Sequence, residues 1–222
     1  MQGIIIDGVA SAGKTSVLKI LQNKILENKF SSSKLFISEH YTQRMLEQAV
    51  ENHEISGLMV QKHITTLIKS LDVYHKMLIR SKFALDPRGA EAFVTIERFI
   101  LTYLATQPSL VEGYGLKKIA KHFKHMNKMN IKQYIFTLSS QNIEKNVSQT
   151  LKHRNKGWAD YINARGGIKT VCSDYILWQE NIVNFAHQFS GSINTEIVNL
   201  DNNNYEEIAQ NIFDNDFSQK QI

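Results

Sequence analysis

The sequence predicts an α/β fold in which a parallel β-sheet is covered by helices on both sides. Five short apolar runs, rich in β-branched and aromatic residues, have the length of strands buried on both faces. Longer segments with apolar residues at helical spacing separate these runs, and this alternation favours a parallel sheet. The chain has 222 residues, of which 42% are hydrophobic and 21% charged. We therefore expect residues 1–222 to form one globular domain.

The predicted strands follow one another at intervals that leave room for helices between them. They are Gly3–Asp7, Lys34–Ser38, Ala92–Ile96, Gln133–Leu138 and Thr195–Leu200. An amphipathic helix is predicted directly after the first strand, from the apolar stripe Val17, Leu18, Leu21 and Ile25. Another is predicted before the last strand, from the stripe Tyr175, Trp178, Ile182, Phe185 and Phe189.

Two intervals are too long for a simple crossover helix. The first, 41–83, predicts two or more helices. The second, 141–171, is polar and charged. The chain ends in a predicted amphipathic helix, Tyr205–Phe213, and in a polar tail, 214–222, that we expect to fray.

Composition excludes several classes of protein. The single cysteine, Cys172, excludes an internal disulfide framework and a cysteine-built zinc site, and it favours a cytoplasmic location. No apolar run is long enough for an export signal or a membrane span. The net charge is +5. The basic run 117–132 is interpreted as a solvated helix face, so nucleic acid is not an expected partner; a homodimer stays open.

The strongest motif is a glycine-rich loop after the first strand. Residues 8–15 (GVASAGKT) fit G-x-x-x-x-G-K-T without a mismatch. Such a loop turns successive N–H groups toward phosphate oxygens, and the helix beginning near Gly13 adds its positive end. Lys14 offers a charge to the β- and γ-phosphates, and the Thr15 hydroxyl can ligate Mg²⁺. The predicted nucleotide-binding residues are Gly8, Val9, Ala10, Ser11, Ala12, Gly13, Lys14, Thr15 and Ser16.

Charged residues follow the second and third strands, where ligands bind in an open parallel sheet. Glu39 can accept a proton from a substrate hydroxyl or orient it; the alternative is that it only caps the next helix. Glu97 can hold Mg²⁺ directly or through water, and Arg98 can clamp a phosphate. A local ion pair is the alternative for these two, but adjacent residues on a helix do not face each other.

The segment 141–171 is predicted to be a small lid. It carries the cations Arg154, Lys156 and Arg165. Its glycines, which permit hinge-like backbone angles, are Gly157, Gly166 and Gly167. Arginines on a lid can neutralise the charge that develops in phosphoryl transfer, and Arg154 is the first candidate for this catalytic role. The alternative for each cation is a solvated basic segment.

With these residues, the sequence resembles the P-loop kinases of nucleosides and nucleotides, the deoxynucleoside kinase and thymidylate kinase group. The resemblance rests on the phosphate loop, on Glu39 in FISEH, on Glu97 and Arg98 in TIERF, and on the cationic segment around Arg154. It implies a P-loop NTPase three-layer sandwich, with a five-stranded parallel sheet of order 2-3-1-4-5 between helices. ATP and Mg²⁺ are the implied cofactors.

The resemblance also implies roles for individual residues. Glu39 corresponds to the base, Glu97 acts near the metal and Arg98 near the acceptor oxygen. The loop at Asp201, between the last strand and the last helix, lies against the adenine in such kinases. Residues 41–83 are where they build the acceptor pocket.

We therefore predict an ATP-dependent phosphotransferase that moves the γ-phosphate to a small acceptor, a nucleoside or nucleoside monophosphate. A kinase of a non-nucleotide metabolite or of a nucleic-acid end would use the same fold and stays open. A regulatory nucleotide-binding NTPase is less favoured, because the sequence has neither an N-K-x-D signature nor a D-x-x-G after the third strand.

Overall fold

The computed structural model contains a five-stranded parallel β-sheet with the strand order β2-β3-β1-β4-β5. The strands are β1 (Gln2–Asp7), β2 (Ser33–Ile37), β3 (Ala92–Glu97), β4 (Ile131–Thr137) and β5 (Thr195–Asn199). The predicted fold class, its five strands and their order are confirmed. The structure describes residues 1–27, 33–44, 56–80, 92–107, 115–153, 156–202 and 204–217.

Eight α-helices lie within these described residues. They are α1 (Lys14–Glu27), α2 (Gly57–Arg80), α3 (Ile100–Thr106), α4 (Leu116–Lys128), α5 (Ser140–His153), α6 (Lys156–Ala164), α7 (Ile168–Gln188) and α8 (Tyr205–Asp216). A short π-helical turn, His40–Arg44, follows β2. No helix in the described part of the chain is both long and apolar enough to cross a bilayer.

The helices form two layers. Helix α1 packs on α8, and this pair lies against β1, β2 and β3. Helix α7 packs on α3 and α5, and α4 and α7 lie against β4. The step from β1 to β2 runs in one direction along the sheet, and the steps from β3 to β4 and β5 run in the other. Right-handed crossovers therefore place α1 on one face of the sheet and the crossover helices that lead to β4 and β5 on the other. Helix α8, which follows the last strand, lies on the face of α1 because it packs on that helix.

The centre of the sheet is buried and its two edges are not. Every residue of β3 is buried, and Ile5 of β1 has no exposed surface. On the edge strands, by contrast, Leu35 of β2 is 37% exposed and Ile197 of β5 is 40% exposed. The prediction that all five strands are buried on both faces is therefore wrong for β2 and β5, because edge strands lie at the margin of the helical layers.

The basic run 117–132 falls mainly on α4. This helix turns Ile119, Phe123 and Met126 into the core. Its exposed side chains include Lys117, Lys118, Lys121, Lys124 and Lys128. This arrangement matches the solvated helix face that the sequence predicts. The neighbouring helix α2 approaches α4 at Asp72, whose Oδ1 lies 3.0 Å from Nε2 of His125.

The C-terminal helix is longer than its sequence pattern indicates. It continues beyond Phe213 to Asp216. The next residue, Phe217, is fully buried, and its ring packs edge-on against Phe93 of β3 at a centroid distance of 5.0 Å. Fraying from residue 214 is therefore not observed, because Phe217 inserts into the core; the rest of the predicted tail, 218–222, lies outside the described residues.

Candidate active site

A cavity of about 1240 Å³ lies at the carboxyl end of the sheet. Glu39 and Arg98 line it from the ends of β2 and β3, and Thr102, Thr106 and Gln107 extend its wall along α3. The whole predicted phosphate loop also lines it, through Gly8, Val9, Ala10, Ser11, Ala12, Gly13, Lys14, Thr15 and Ser16. The parallel strands thus bring residues from three distant parts of the sequence to one space.

The phosphate loop is tightly curled and closely packed. Gly8, Ser11 and Gly13 have positive φ angles of 143°, 63° and 82°. A Cβ atom on Gly8 would lie 2.6 Å from the carbonyl oxygen of Phe136, and one on Gly13 would lie 2.8 Å from the ring of Tyr205. Both positions therefore require glycine for backbone conformation and for space. Helix α1 begins at Lys14, which places its positive end at the cavity.

Lys14 is a buried cation. Its Nζ donates to the carbonyl oxygen of Val9 over 2.6 Å. The pKa of Lys14 is lowered from 10.5 to about 7, mainly by burial and also by the nearby charge of Arg98. The carboxylates of Glu39 and Glu97 oppose these effects. The neutral amine form of Lys14 is therefore poised to gain a proton when an anion enters the cavity.

Thr15 and Glu97 meet at the mouth of the phosphate loop. The Thr15 hydroxyl donates to Oε1 of Glu97 over 3.1 Å, and the backbone N–H of Glu39 lies 3.4 Å from Oε2. The carbonyl oxygen of Glu97 accepts a hydrogen bond of 2.7 Å from Thr42, which fixes the end of β3. A hydroxyl and a carboxylate are oxygen ligands of the kind Mg²⁺ prefers, so this pair fits the metal.

Arg98 and Glu39 form an ion pair at the cavity. Arg98 Nη1 lies 3.3 Å from Glu39 Oε1, and both side chains are mostly buried. Arg98 has a φ angle of 51°, which turns the chain sharply after β3, and its N–H donates to the carbonyl oxygen of Ile6 over 2.9 Å. The turn directs Arg98 away from its neighbour Glu97 and toward Glu39, which follows the adjacent strand β2. The local Glu97–Arg98 ion pair is therefore not the arrangement observed.

Asp7 is a buried carboxylate that supports the site through hydrogen bonds, a role that the sequence does not reveal. Its Oδ1 accepts hydrogen bonds from the N–H of Phe99 over 2.9 Å and from the hydroxyl of Thr102 over 2.6 Å. Its Oδ2 accepts one from Gln133 over 3.0 Å. Asp7 is fully buried and joins β1, β4 and the start of α3. The sequence shows only that a carboxylate ends an apolar strand. It does not indicate which hydrogen-bond donors this carboxylate contacts.

The predicted lid segment is helical where it is described. Helix α5 buries Ile143 and Val147, while Asn146 donates to the carbonyl oxygen of Ser11 over 3.1 Å and Thr150 lies 3.4 Å from the Ser11 hydroxyl. This part of the segment therefore closes one side of the phosphate loop. Arg154, the first catalytic candidate on the lid, lies outside the described residues.

The other lid cations differ in their surroundings. Lys156 is exposed at the start of α6. Arg165 lines the cavity, and its Nη2 lies 2.8 Å from Oδ2 of Asp174. Its guanidinium carbon lies 5.0 Å from the ring centroid of Trp178, within the range of a cation–π interaction. Trp178 belongs to the predicted stripe of α7, but it faces the cavity rather than the core alone.

Asp201 is not among the residues that line the cavity, and local hydrogen bonds hold it in place. Its Oδ1 accepts from the N–H of Ser139 and from Asn142, both over 2.8 Å. The hydrogen bond from Asn142 is the main reason that the pKa of Asp201 is lowered. Asp201 therefore ties the loop after β5 to the start of α5; its predicted contact with adenine stays a prediction.

The region 41–83, where the acceptor pocket is predicted, does not line the cavity in the part that the structure describes, which is residues 41–44 and 56–80. The cavity is lined instead by residues of α3, α6 and α7, including Thr102, Trp158 and Tyr175. The remainder of this region, 45–55 and 81–83, lies outside the described residues.

The strand order and the phosphate loop together define a P-loop kinase-like fold with a nucleotide-sized cavity. No protein-family model matches the chain, and no curated protein matches it in sequence. Similar solved structures include the YorR protein from Bacillus subtilis in complex with phosphorylated GDP, with 14% identity, a TM-score of 0.48, and coverage of 96% of this chain and 94% of that chain. Another is a thymidylate kinase from Candida albicans, with 13% identity, a TM-score of 0.49, and coverage of 96% and 89%. Both TM-scores are below one half, so the fold assignment rests on this chain's own topology and motif.

Proposed function

We propose that this protein is an ATP-dependent phosphotransferase that moves the γ-phosphate to a nucleoside or nucleoside monophosphate. One observation carries the proposal: a single cavity is lined by Lys14, Thr15, Glu39 and Arg98. Thr15 also donates a hydrogen bond to the carboxylate of Glu97. Phosphoryl transfer depends mainly on positioning and charge neutralisation, and these are the groups that supply both.

The donor nucleotide would bind through the phosphate loop. The curled backbone between Gly8 and Gly13 and the first turn of α1 favour an anion, and Lys14 pairs with the β- and γ-phosphates. Thr15 and Glu97 would hold Mg²⁺, which neutralises charge on the phosphates when it is bound. Closing the lid, 141–171, would exclude water, so that transfer to an acceptor is favoured over hydrolysis.

The acceptor would enter beside the ion pair of Glu39 and Arg98. Glu39 orients the acceptor hydroxyl and takes its proton as the oxygen bonds to the γ-phosphorus and ADP leaves. Arg98 stabilises the negative charge on the transferring group, and a lid arginine, Arg154 in our proposal, adds a second cation. The ion pair orients Glu39 before the acceptor arrives.

A panel of hydroxyl acceptors tests the proposal. ADP release is measured with magnesium and ATP in the presence of nucleosides, nucleoside monophosphates, oligonucleotides with free ends, and aliphatic alcohols. We expect release that depends on a nucleoside or nucleoside monophosphate and disappears in Lys14→Met. Release that is equally fast without any acceptor would contradict the proposal and favour an NTPase.

A further inference from the structure

Four aromatic side chains form one wall of the cavity that holds the phosphate loop. We call this set, Trp158, Tyr161, Tyr175 and Trp178, the aromatic wall. Trp158 and Tyr161 stand one turn apart on α6, and Tyr175 and Trp178 one turn apart on α7, so each helix turns a pair of rings to the same side. Both tryptophans of the chain belong to the wall.

One pair of these rings is stacked and the other is moderately tilted. Trp158 and Tyr161 are stacked, with centroids 5.1 Å apart and planes 14° apart. Tyr175 and Trp178 are 5.5 Å apart and tilted by 35°. Stacked or mildly tilted rings leave a flat outer surface, which suits a planar ligand better than an aliphatic one.

The wall already binds one planar group. The guanidinium carbon of Arg165 lies 5.0 Å from the centroid of Trp178 and 5.7 Å from that of Tyr161. Asp174 holds the same guanidinium through an ion pair of 2.8 Å. Arg165 is on the surface of the cavity and is 38% exposed, so a ligand can reach and displace it.

We propose that the acceptor's base binds by stacking on the face of Trp178 that Arg165 covers. We call this face of Trp178 the seat. A nucleobase is planar and aromatic, and it can stack on Trp178 in the place of the guanidinium. The acceptor's sugar then extends within the same cavity toward Glu39 and Arg98. This inference rests on the proposed function, and it adds where the base binds and that the base displaces Arg165.

Tryptophan fluorescence tests the seat without any turnover. Thymidine, guanosine and their monophosphates are titrated into the full chain under selective tryptophan excitation, with ribose and glycerol as aliphatic probes. We expect the nucleosides or their monophosphates to quench the emission, and the aliphatic probes to leave it unchanged. Trp158→Phe should keep most of the quenching, and Trp178→Phe should lose most of it.

Calorimetry on variants measures how much the seat contributes to the affinity for the nucleoside. Trp178→Leu should weaken binding of the quenching nucleoside roughly tenfold or more, and Trp178→Phe should restore most of it, because stacking needs a ring. Arg165→Met should bind the nucleoside more tightly than the wild type, because the competing guanidinium is gone. Leu177→Ala, at an exposed position of the same helix, is the control and should bind as the wild type does. ATP affinity should be unchanged in all four variants.

The outcomes separate this inference from the proposed function. Wild-type affinity in Trp178→Leu, or weaker nucleoside binding in Arg165→Met, overturns the seat even if a nucleoside is phosphorylated. Phosphorylation of an aliphatic acceptor with no quenching by any nucleoside overturns the seat and leaves the phosphotransferase standing. Quenching with the expected variant pattern but no ADP release supports the seat and contradicts the proposed function.

Discussion

The hydroxyl group of Thr15 lies 3.1 Å from Oε1 of Glu97, although 82 positions separate the two residues in the chain. The contact joins the first turn of α1 to the end of β3, and it exists because β1 and β3 are parallel neighbours in the sheet. It brings a hydroxyl and a carboxylate oxygen together beside the phosphate loop.

Replacing Glu97 by alanine should abolish most activity without unfolding the protein. The variant loses a carboxylate at the proposed Mg²⁺ site, so we expect kcat to fall on the order of 100-fold or more and the magnesium requirement to rise. Steady-state kinetics at several magnesium concentrations, with circular dichroism melting as a check on folding, make the test. Glu196→Ala, at an exposed position of β5, is the matched control. Full activity in Glu97→Ala would mean that this carboxylate has no part in the reaction.

Nucleotide binding should be coupled to proton uptake at Lys14. Its pKa of about 7 leaves much of the amine neutral at about pH 8, and a bound polyphosphate should raise that pKa. Calorimetric titration of ATP at this pH, in buffers of different ionisation enthalpy, measures the protons taken up. Lys14→Arg should show less uptake, because arginine stays protonated. Equal uptake in the variant and the wild type would exclude Lys14 as the source.

Lys14 should also make stability depend on pH. The unfolded chain, with a lysine pKa near 10.5, binds more protons than the folded chain between about pH 7 and pH 10.5. The unfavourable contribution of Lys14 is thus fully present below pH 7 and is lost as the pH rises through this range. Lys14→Met should therefore gain stability over the wild type by a few kcal/mol more at about pH 6 than at about pH 10. Urea unfolding at both values checks this, and a difference that is constant with pH would contradict it.

Replacing Asp7 by alanine should destabilise the fold rather than only the site. The variant leaves the N–H of Phe99, the hydroxyl of Thr102 and the amide of Gln133 without their common acceptor. We expect a loss of about 3 kcal/mol or more in the free energy of unfolding, measured with urea. Asp160→Asn, at an exposed position of α6, should change it by less than about 0.5 kcal/mol. Equal stability of the two variants would mean that the buried hydrogen bonds contribute little.

Glu39→Gln should separate binding from chemistry. The amide keeps the shape of the side chain but takes up no proton, so we expect kcat to fall roughly 100-fold or more while ATP affinity stays within a few-fold of the wild type. Single-turnover phosphoryl transfer and ATP titration give the two quantities. Glu27→Gln, at the exposed end of α1, serves as the control. Loss of ATP affinity with an unchanged rate of transfer would assign Glu39 to donor binding instead.

Much of the fold and part of the site follow from local patterns. The five strands, the phosphate loop and the charged residues ending β2 and β3 are each encoded within a few consecutive residues, so sequence reasoning finds them. The burial of β2 and β5 was predicted wrongly because a short apolar run has the same pattern at the edge of a sheet as at its centre. The length of α8 was underestimated because the burial of Phe217 depends on Phe93, which lies far away in the chain.

By itself, the amino-acid sequence determined the kind of site: a backbone loop for phosphate, a lysine, a hydroxyl and carboxylates at strand ends. Only the tertiary structure decided how these groups are paired, with Arg98 on Glu39, Thr15 on Glu97 and Arg165 on Trp178. The reason is physical: a motif specifies the local conformation of adjacent residues, whereas pairing depends on strand order and helix packing, which bring distant residues within hydrogen-bond distance.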